Sequence, residues 1–267
     1  MSRLGLIAGN GVFPLEVAKM ARRQGIPLIA IAHIGETDAG LAHLADELTW
    51  IRIGELQRII DVFKSADVKQ AAMAGGISRA RLSSSFAPDK RALIMLARIG
   101  RFSDDAVLRG VAAELESEGI RIIDPAPMLD GILAPAGLLA GPQPTTAQMA
   151  DLRLAFEITR ALGVFDVGQA VAVRDGVVAA VEAAEGTDDA LRRAASLCGK
   201  GLVVAKAAKP SQDLRFDRPA IGPGTIDLLN QLQAAVIAVE AGTAMLLERD
   251  TTLARAGAFK ITVYGYE

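Results

Sequence analysis

The sequence is poor in the side chains that most often carry nucleophilic or zinc chemistry. Its 267 residues include one cysteine and two histidines. The single cysteine, Cys198, excludes an intrachain disulfide and fits a reducing cytosol. The spacing of His33 and His43 fits no metal pair, and nothing in the sequence suggests a Ser/His or Cys/His nucleophile system, so we expect both to be structural. Any bound metal should therefore have oxygen ligands, a preference that favours Mg²⁺ over Zn²⁺.

Two further absences restrict the class of protein. The charge is nearly balanced, with 29 basic and 31 acidic residues, whereas general nucleic-acid binding requires a basic surface that releases counterions. No uninterrupted apolar run approaches the about 18 residues of a membrane-spanning helix. The hydrophobic fraction of 51% is instead enough to fill a globular core. The sequence predicts a cytoplasmic protein without a nucleic-acid partner, able to touch a membrane surface only peripherally.

Apolar runs alternate with helical periodicity through the first half of the chain. Leu4–Ala8 is typical of a buried strand, a glycine turn follows it, and Pro14 suits the first position of a helix. The same alternation continues through four more predicted strands. Strands that alternate with helices indicate a mostly parallel sheet covered on both faces. We therefore predict a Rossmann-like α/β fold for this half.

The composition changes between Asp124 and Pro144, where prolines and glycines cluster. A segment rich in these residues cannot sustain a helix or a sheet ladder. Beyond it, Asp175-Gly176 predicts a hairpin turn between two apolar runs. We expect a second, smaller α/β domain with a mixed sheet. The predicted organisation is an N-terminal α/β domain over 1–131, a Pro/Gly-rich linker over 132–146 and a C-terminal catalytic α/β domain over 147–267.

The most distinctive segment is the loop 206–218, in which four cations alternate with two carboxylates. Such a loop can simply neutralise itself in solvent. It can also hold a polyanion and a divalent cation together, because basic groups bind phosphate oxygens while a carboxylate holds a metal or orients water. In that case the basic side chains of the loop would bind phosphate, and its carboxylates would hold the metal or orient the water.

Two glycine turns are expected at the same edge of the first sheet. Gly9, Asn10 and Gly11 join a strand to a helix, where free backbone N–H groups favour a phosphate or a uridine-type group; a purely structural turn is the alternative. Gly75 and Arg79 follow the fourth strand and would face the same ligand, unless Arg79 is only a surface residue. The pattern is not a Walker loop. It also lacks the third glycine of a dinucleotide fingerprint and an acidic residue ending the second strand.

Four polar residues remain open between structural and binding roles. Asp104 and Asp105 precede a helix, so one of them can cap it while the other contacts a sugar hydroxyl or a metal. Thr187 is predicted as the N-cap of a later helix. Gln169 begins a strand and is a weak indication by itself.

Five segments, taken in order, together resemble one family. They read LGLIAGNGVFP at 4–14, DDAVLR at 104–109, GQAV at 168–171, VEAAEGTD at 181–188 and KPSQDLRFDRPAIG at 209–222. In these segments the chain resembles the UDP-2,3-diacylglucosamine pyrophosphatases of the LpxI type over nearly its whole length. The resemblance implies two domains with the substrate between them. It also implies Mg²⁺-dependent hydrolysis of the substrate diphosphate to UMP and 2,3-diacylglucosamine 1-phosphate, a step of lipid A biosynthesis in Gram-negative bacteria.

The resemblance also assigns a catalytic residue. The aspartate of the family's Arg-x-Asp-x-Pro segment falls on Asp217, which would bind Mg²⁺ or orient the attacking water. Ala220 stands where the family commonly has threonine, so one hydroxyl that could contact the substrate is missing. The residues expected to bind substrate are Gly9, Asn10, Gly11, Gly75, Arg79, Asp104, Asp105, Gln169, Thr187, Lys206, Lys209 and Arg215.

Two other functions stay open at this point. The alternating strands and the first glycine turn also suit a nucleotide-dependent oxidoreductase, although the fingerprint is incomplete. A non-catalytic protein that binds a lipid phosphate is the other alternative, although anion binding alone gains nothing from the aspartates of the charged loop. The expected partners are a lipid-linked UDP-sugar, the cytoplasmic face of the inner membrane and a second copy of the chain, paired through apolar helices of the second half.

Overall fold

A computed structural model describes residues 3–78, 86–99, 104–210 and 212–267. The chain divides into two compact units. The first unit comprises Met1–Asp130 together with Asp213–Asp217, and the second comprises Gly131–Gln212 together with Arg218–Glu267. Five residues from the charged loop therefore belong to the first unit, although most of their sequence neighbours belong to the second.

The first unit is built on a parallel five-stranded sheet. Its strands are β1 Leu4–Ala8, β2 Leu28–His33, β3 Glu47–Ile51, β4 Gln70–Ala74 and β5 Arg121–Ile123. They lie in the order β3-β2-β1-β4-β5, and every neighbouring pair is parallel. The strands β1 and β2 are buried along their whole length, as expected for a sheet covered on both faces. The Rossmann-like α/β prediction is confirmed.

Four α-helices accompany this sheet in the described part of the first unit. They are α1 Phe13–Arg23, α2 Leu56–Ser65, α3 Lys90–Arg98 and α4 Asp104–Ser117, with short 3₁₀ turns at Ala39–His43 and Ala126–Met128. Pro14 lies in the first turn of α1, where its missing N–H breaks no hydrogen bond. Apolar faces of α2, α3 and α4 pack on the sheet around the buried Phe63. This packing fixes where the loops at the strand ends lie.

The second unit contains a mixed six-stranded sheet and a two-stranded one. The strands are β6 Gly137–Ala140, β7 Ala170–Arg174, β8 Val177–Val181, β9 Val203–Lys206, β10 Ala220–Ile221, β11 Val236–Glu240, β12 Met245–Leu246 and β13 Thr262–Tyr266. The large sheet has the order β6-β13-β11-β9-β7-β8, and β10 pairs with β12. Its three central strands are parallel, whereas β6, β7 and β8 run antiparallel to their neighbours. The predicted mixed sheet is confirmed.

Helices cover both faces of the six-stranded sheet. They are α5 Thr146–Gly163, α6 Thr187–Cys198, α7 Pro223–Gln231 and α8 Arg249–Phe259. Alternate residues of β9 belong to different apolar clusters, Val204 to one and Val203 with Ala205 to the other. The predicted Asp175-Gly176 turn joins β7 to β8, and the buried Asp151 carboxylate accepts both of its backbone N–H groups, at 3.1 and 2.8 Å.

Candidate functional site

The sequence-predicted site residues fall into both units. The first unit contains Gly9, Asn10, Gly11, Gly75, Asp104, Asp105, Arg215 and Asp217. The second contains Gln169, Thr187, Lys206 and Lys209. Arg79 lies outside the described residues. The roles of all of these residues stay predictions.

The two glycine turns meet at the carboxyl ends of β1 and β4. The backbone N–H of Gly9 donates to Ala74 O at 2.8 Å, and that of Asn10 donates to Gly76 O at 2.7 Å. The contact is too close for side chains, because a Cβ on Gly9 would lie 2.2 Å from Gly76 O and a Cβ on Gly75 would lie 2.2 Å from Asn10 O. Gly75 also has a φ of +81°. Both glycines are thus required by close backbone contact.

We expect Gly9→Ala to lower the free energy of unfolding of the first unit by about 1–3 kcal/mol, the usual cost of forcing extra atoms into a packed site. Gly257→Ala in α8 is the matched control, because nothing lies within 4 Å of its Cβ position. Alanine there should be neutral or stabilise by up to about 1 kcal/mol, since it replaces glycine inside a helix. Urea denaturation of both variants measures the difference. Equal stability of the two variants would contradict the close contact.

A glutamate that the sequence reading did not select ties the two turns together. Glu36 Oε2 accepts from Asn10 Nδ2 at 2.7 Å, and Glu36 Oε1 accepts from the Ser78 hydroxyl at 2.6 Å. The Ser78 backbone N–H also donates to Oε2, at 3.3 Å. Glu36 lies three positions beyond β2, which itself ends at His33, so the expectation that no acidic residue ends the second strand is confirmed. Because Glu36 lies beyond the end of the strand, the dinucleotide fingerprint, which expects the acidic residue at the strand end, did not select it.

His33 anchors the turn that carries Glu36. Its Nδ1 lies 2.9 Å from Ala8 O, and the Thr37 hydroxyl donates to the same oxygen at 2.6 Å. Burial lowers the pKa of His33, against the opposing effects of the Ala8 carbonyl and of Glu36. A neutral ring whose Nδ1–H donates to Ala8 fits this geometry. The contacts agree with the structural role expected for this histidine.

The segment Asp213–Asp217 forms a turn closed by a guanidinium clamp. The backbone N–H groups of Phe216 and Asp217 both donate to Asp213 O, at 3.3 and 3.2 Å. Arg215 Nε lies 3.0 Å from Asp213 Oδ1, and Nη2 lies 2.8 Å from Oδ2. The Arg215 guanidinium holds the pKa of the Asp213 carboxyl below its usual value, although partial burial opposes this. Asp213 is therefore ionised and fully engaged at neutral pH.

The Asp213–Arg215 clamp contacts charged side chains on one face of α4. Arg215 Nη1 donates to Glu116 Oε1 at 2.7 Å, and Arg109 Nη1 lies 4.0 Å from Asp213 Oδ2. Arg109 Nε in turn donates to Asp105 Oδ2 at 2.6 Å. Positions 105, 109 and 116 are spaced by four and seven, so they share a helix face. The turn therefore lies along α4, tied to it by alternating charges.

These contacts bear on the open role of Asp105. It is the second residue of α4, which begins at Asp104, and its carboxylate bonds to Arg109 instead of capping the helix. Its Oδ1 is buried and has no hydrogen-bond partner among the described residues. Ser103 lies outside those residues.

Asp217 ends the clamped turn. It is half-buried, and the side chain before it, Phe216, packs against the apolar core of the first unit. Arg215 also lies over the Phe216 ring, with Cζ 5.6 Å from the centroid. The backbone that carries Asp217 is thus held in place by one apolar contact and several ionic contacts.

In the second unit, Lys206 and Gln169 lie side by side at one end of the large sheet. Lys206 ends β9, and its Nζ donates to Ala220 O at 3.1 Å. The next residue, Ala207, donates its N–H to Gln169 O at 3.0 Å. Gln169 N in turn donates to Glu182 Oε2 at 3.1 Å. Two of the predicted site residues are therefore neighbours in space.

Lys209 follows them on the same loop and forms an ion pair with Asp166. Its side chain is only 14% exposed, so the charge is held in place. Gln212 Oε1 accepts from the Lys209 backbone N–H at 2.8 Å.

Thr187 is not the N-cap that we predicted. It is the first residue of α6, and Gly186 before it is the N-cap, with a φ of 83°. A left-handed backbone at this position suits glycine, so the boundary lies one residue earlier than the hydroxyl suggested.

The part of the chain that the structure describes shows neither a metal cluster nor a membrane-spanning helix. Within the described ranges, no three His, Cys, Asp or Glu side chains come together as a metal cluster would require. Among the helices that the structure describes, none combines the length and the apolar character needed to cross a bilayer.

The fold and the charged turn define a two-unit α/β protein in which a guanidinium-clamped aspartate turn packs on a Rossmann-like sheet. Two family models cover the chain: the LpxI N-terminal domain matches residues 3–132 and the LpxI C-terminal domain matches residues 135–264. A curated protein of Caulobacter vibrioides, UDP-2,3-diacylglucosamine pyrophosphatase LpxI, is 34% identical over 280 residues, covering 100% of this chain and 98% of that protein. The chain belongs to the LpxI family.

Solved structures give only distant similarity. The biotin carboxylase subunit of pyruvate carboxylase matches with a TM-score of 0.28 and 18% identity, over 64% of this chain and 35% of that one. A complete multifunctional pyruvate carboxylase from Rhizobium etli matches with a TM-score of 0.31 and 15% identity, over 64% of this chain and 14% of that one. The chain thus spans about a third of the first structure's length and less of the second's. Neither similarity supports a functional conclusion.

The functional prediction needs a correction. Membership of the LpxI family over both domains overturns the two alternatives, the nucleotide-dependent oxidoreductase and the non-catalytic lipid-phosphate binding protein. The relative's name gives a substrate and a pyrophosphatase activity, but neither products nor a pathway. Of the reaction that the resemblance implies, only the pyrophosphatase activity and the UDP-2,3-diacylglucosamine substrate have a counterpart in that relative's name.

Proposed function

We propose that this protein is a pyrophosphatase that acts on UDP-2,3-diacylglucosamine. Support comes from a relative of that name which aligns along the whole chain at 34% identity. Both family domains are present, so neither half of that relative lacks a counterpart here. A hydrolase acting on a phosphoric anhydride also suits a chain with two histidines and one cysteine, because such chemistry needs positioned charges and water more than a side-chain nucleophile.

The observation that carries this function is the clamped turn 213–217, which ends on the aspartate of the family's Arg-x-Asp-x-Pro segment. Asp213 accepts four hydrogen bonds from Arg215, counting three from the guanidinium and one from the backbone N–H. That carboxylate is a structural anchor. Asp217 closes the same turn, half-buried and held by its neighbours. We assign Asp217 the catalytic role, as the group that binds a metal or orients the attacking water.

The donor set on this turn fits Mg²⁺. Magnesium is usually held through one or two carboxylates, with substrate phosphates and water as its other ligands. One carboxylate, Asp217, together with a diphosphate substrate meets that requirement without a cluster of three protein ligands. When bound, the ion would neutralise charge on the diphosphate and acidify water.

The cations of the charged loop divide between anchoring and binding. Arg215 is held by Asp213 and Glu116, so we assign it the positioning of the turn that carries Asp217. Lys206 and Lys209 keep the phosphate-binding role in this proposal. Lys209 is held by Asp166, which fixes the ammonium group in one place. A cation fixed in advance loses less side-chain freedom when an anion binds.

The substrate's chemistry leads to the remaining proposals. Two acyl chains would keep the substrate in a bilayer, so we propose peripheral contact of the protein with the inner membrane. We place the protein on the cytoplasmic side because a single cysteine suits a reducing compartment. Val164 and Phe165, 68% and 75% exposed beyond the end of α5, could make such a contact. Pairing of two copies through the second unit remains part of the same proposal.

The experiment is hydrolysis of UDP-2,3-diacylglucosamine in detergent micelles by the purified protein, followed by ³¹P NMR. We expect loss of the diphosphate signals with added Mg²⁺ and at least about a hundredfold lower rate in EDTA, because the charge that develops on the diphosphate then lacks its counter-ion. Restoration by Mg²⁺ and not by Ca²⁺ would identify the ion. Unchanged turnover in EDTA would remove the metal from the proposal, and an intact substrate with Mg²⁺ would remove the function.

A further inference from the structure

The two glycine turns lie at the point where the first sheet changes direction. From β1 the chain moves to β2 and β3 on one side, and then returns to β4 on the other side of β1. Ligands of open parallel sheets bind in the crevice outside the carboxyl ends of the strands at such a switch point. The glycines here are exposed at Gly11, Gly75 and Gly76. A ligand can therefore reach the backbone at this place.

Glu36 is held over this switch point by a turn of its own. The Glu36 and Thr37 backbone N–H groups both donate to His33 O at 3.1 Å. Gly35, with a φ of +80°, allows the tight bend between them. The buried His33 and Thr37 then fasten the turn to Ala8 O at the end of β1. The carboxylate thus sits on a rigid support, as a positioning group requires.

The contact with Glu36 decides which way the Asn10 amide points. Asn10 Nδ2 donates to Glu36 Oε2 at 2.7 Å, an orientation that gives the amide N–H a carboxylate oxygen as its acceptor. The amide oxygen then faces away from Glu36. A Cβ on Gly76 would lie 3.3 Å from Asn10 Oδ1, which places that oxygen over an exposed glycine. The turn offers an oriented acceptor to a ligand.

An acceptor at this place selects the chemical group that binds. A diester-like phosphate has no proton to donate in a hydrogen bond at neutral pH. A ribose hydroxyl, in contrast, is a ready hydrogen-bond donor. We propose that Glu36 is a positioning residue of a nucleoside site, in which it holds the Asn10 carboxamide oxygen toward a ribose hydroxyl of the substrate. The identity of the nucleoside as uridine rests on the proposed function. The two glycine turns would then bind the nucleoside, and the diphosphate would not lie on them.

The test compares ribose with deoxyribose by titration calorimetry, using UDP, 2′-deoxy-UDP and 3′-deoxy-UDP. The wild-type protein should bind UDP about tenfold more tightly than at least one deoxy form, as expected for one hydrogen bond lost in a preformed site. In Glu36→Ala this ratio should fall to about two or less, because the Asn10 amide is free to turn. Asn10→Ala should show the same loss, and Glu36→Gln, which keeps an accepting oxygen, should retain most of the ratio.

Glu47→Ala is the matched control, because this glutamate lies in the same unit with its side chain 60% exposed. It should leave both affinities unchanged. A merely structural Glu36 would weaken UDP and its deoxy forms equally, so a retained ratio in Glu36→Ala overturns the inference. If Glu36→Ala does not fold, a retained ratio in Asn10→Ala overturns it. Absence of UDP binding to the wild-type protein also overturns it.

The titration separates this inference from the proposed function, because it measures binding and not turnover. Ribose discrimination that depends on Glu36, in a protein that leaves UDP-2,3-diacylglucosamine intact, would refute the function and keep the nucleoside site. Turnover without ribose discrimination would keep the proposed function and refute the nucleoside site. In an active protein, Glu36→Ala should raise KM by about tenfold or more and change kcat by less than about threefold, the pattern of lost uniform binding.

Discussion

Asp217→Ala should leave a folded protein whose hydrolysis of UDP-2,3-diacylglucosamine is slower by about a thousandfold, within the range of about 10²–10⁴ for the loss of a general base. The reason is that no other carboxylate on the turn can take over its role, since Asp213 is bound by Arg215. Folding should be preserved, because the turn is held by the Arg215 clamp and by the packing of Phe216. The initial rate of substrate loss measures the effect, and circular dichroism checks the fold.

Asp189→Ala is the control for this measurement. Asp189 lies on the first turn of α6 with its side chain 71% exposed, and its partner Arg192 is 3.6 Å away. An exposed pair of this kind contributes little to stability, so this variant should keep wild-type activity and stability. Asp217→Asn, which keeps the shape and removes the charge, should be nearly as slow as Asp217→Ala. A rate within tenfold of wild type in either Asp217 variant would exclude Asp217 from the mechanism.

The fold could be predicted because its signals are local. Leu4–Ala8 is apolar along its whole length, and such a run indicates a buried strand without knowledge of its neighbours. The turn at Asp175-Gly176 likewise depends on the conformations that two adjacent residues can adopt, with φ of 49° and 77°. The end of a helix is decided by smaller differences. Both the Thr187 hydroxyl and the preceding glycine suit the N-cap position, and in the structure Gly186 is the N-cap.

The contacts of the site could not be predicted in the same way, because they join distant parts of the chain. Arg215 and Glu116 are 99 positions apart, and no local pattern relates them. The charged loop was read either as self-neutralising or as a binding loop. In the structure Arg215 neutralises Asp213, which supports the first reading for that pair. The spacing of the charges along the sequence does not show which of them pair, because the partners include distant residues such as Glu116.

Arg215→Ala should destabilise the clamped turn, lowering the free energy of unfolding of the first unit by about 1.5–3 kcal/mol, the usual value for hydrogen bonds to charged groups. The substitution leaves Asp213, whose side chain is only 13% exposed, without its main cation. Arg215→Lys should recover less than half of the loss, since an ammonium group cannot make the planar two-point contact of a guanidinium. Urea denaturation followed by circular dichroism measures both variants.

Turnover should fall together with stability in Arg215→Ala, because the loosened turn no longer holds Asp217 in one place. This distinguishes positioning from phosphate binding. If Arg215 only positions the turn, kcat falls and KM for the substrate changes little; if it binds the diphosphate, KM rises as well. Arg192→Ala, on the exposed pair described above, is the matched control and should change neither constant.

The pH dependence of stability tests the clamp independently of any activity. The pKa of Asp213 is lowered in the folded protein, chiefly by hydrogen bonds from Arg215, from an ordinary value of 3.8. Its contribution to stability is therefore complete above pH 3.8 and is lost as the pH falls through the lowered folded pKa. In Arg215→Ala the folded and unfolded pKa values of Asp213 approach each other, so this part of the acid dependence should disappear. Asp213→Asn should remove it as well, and the double variant should lose no more than either single one. An acid dependence equal to that of wild type in both single variants would show that the clamp does not stabilise the turn, and Asp217 would then need another support.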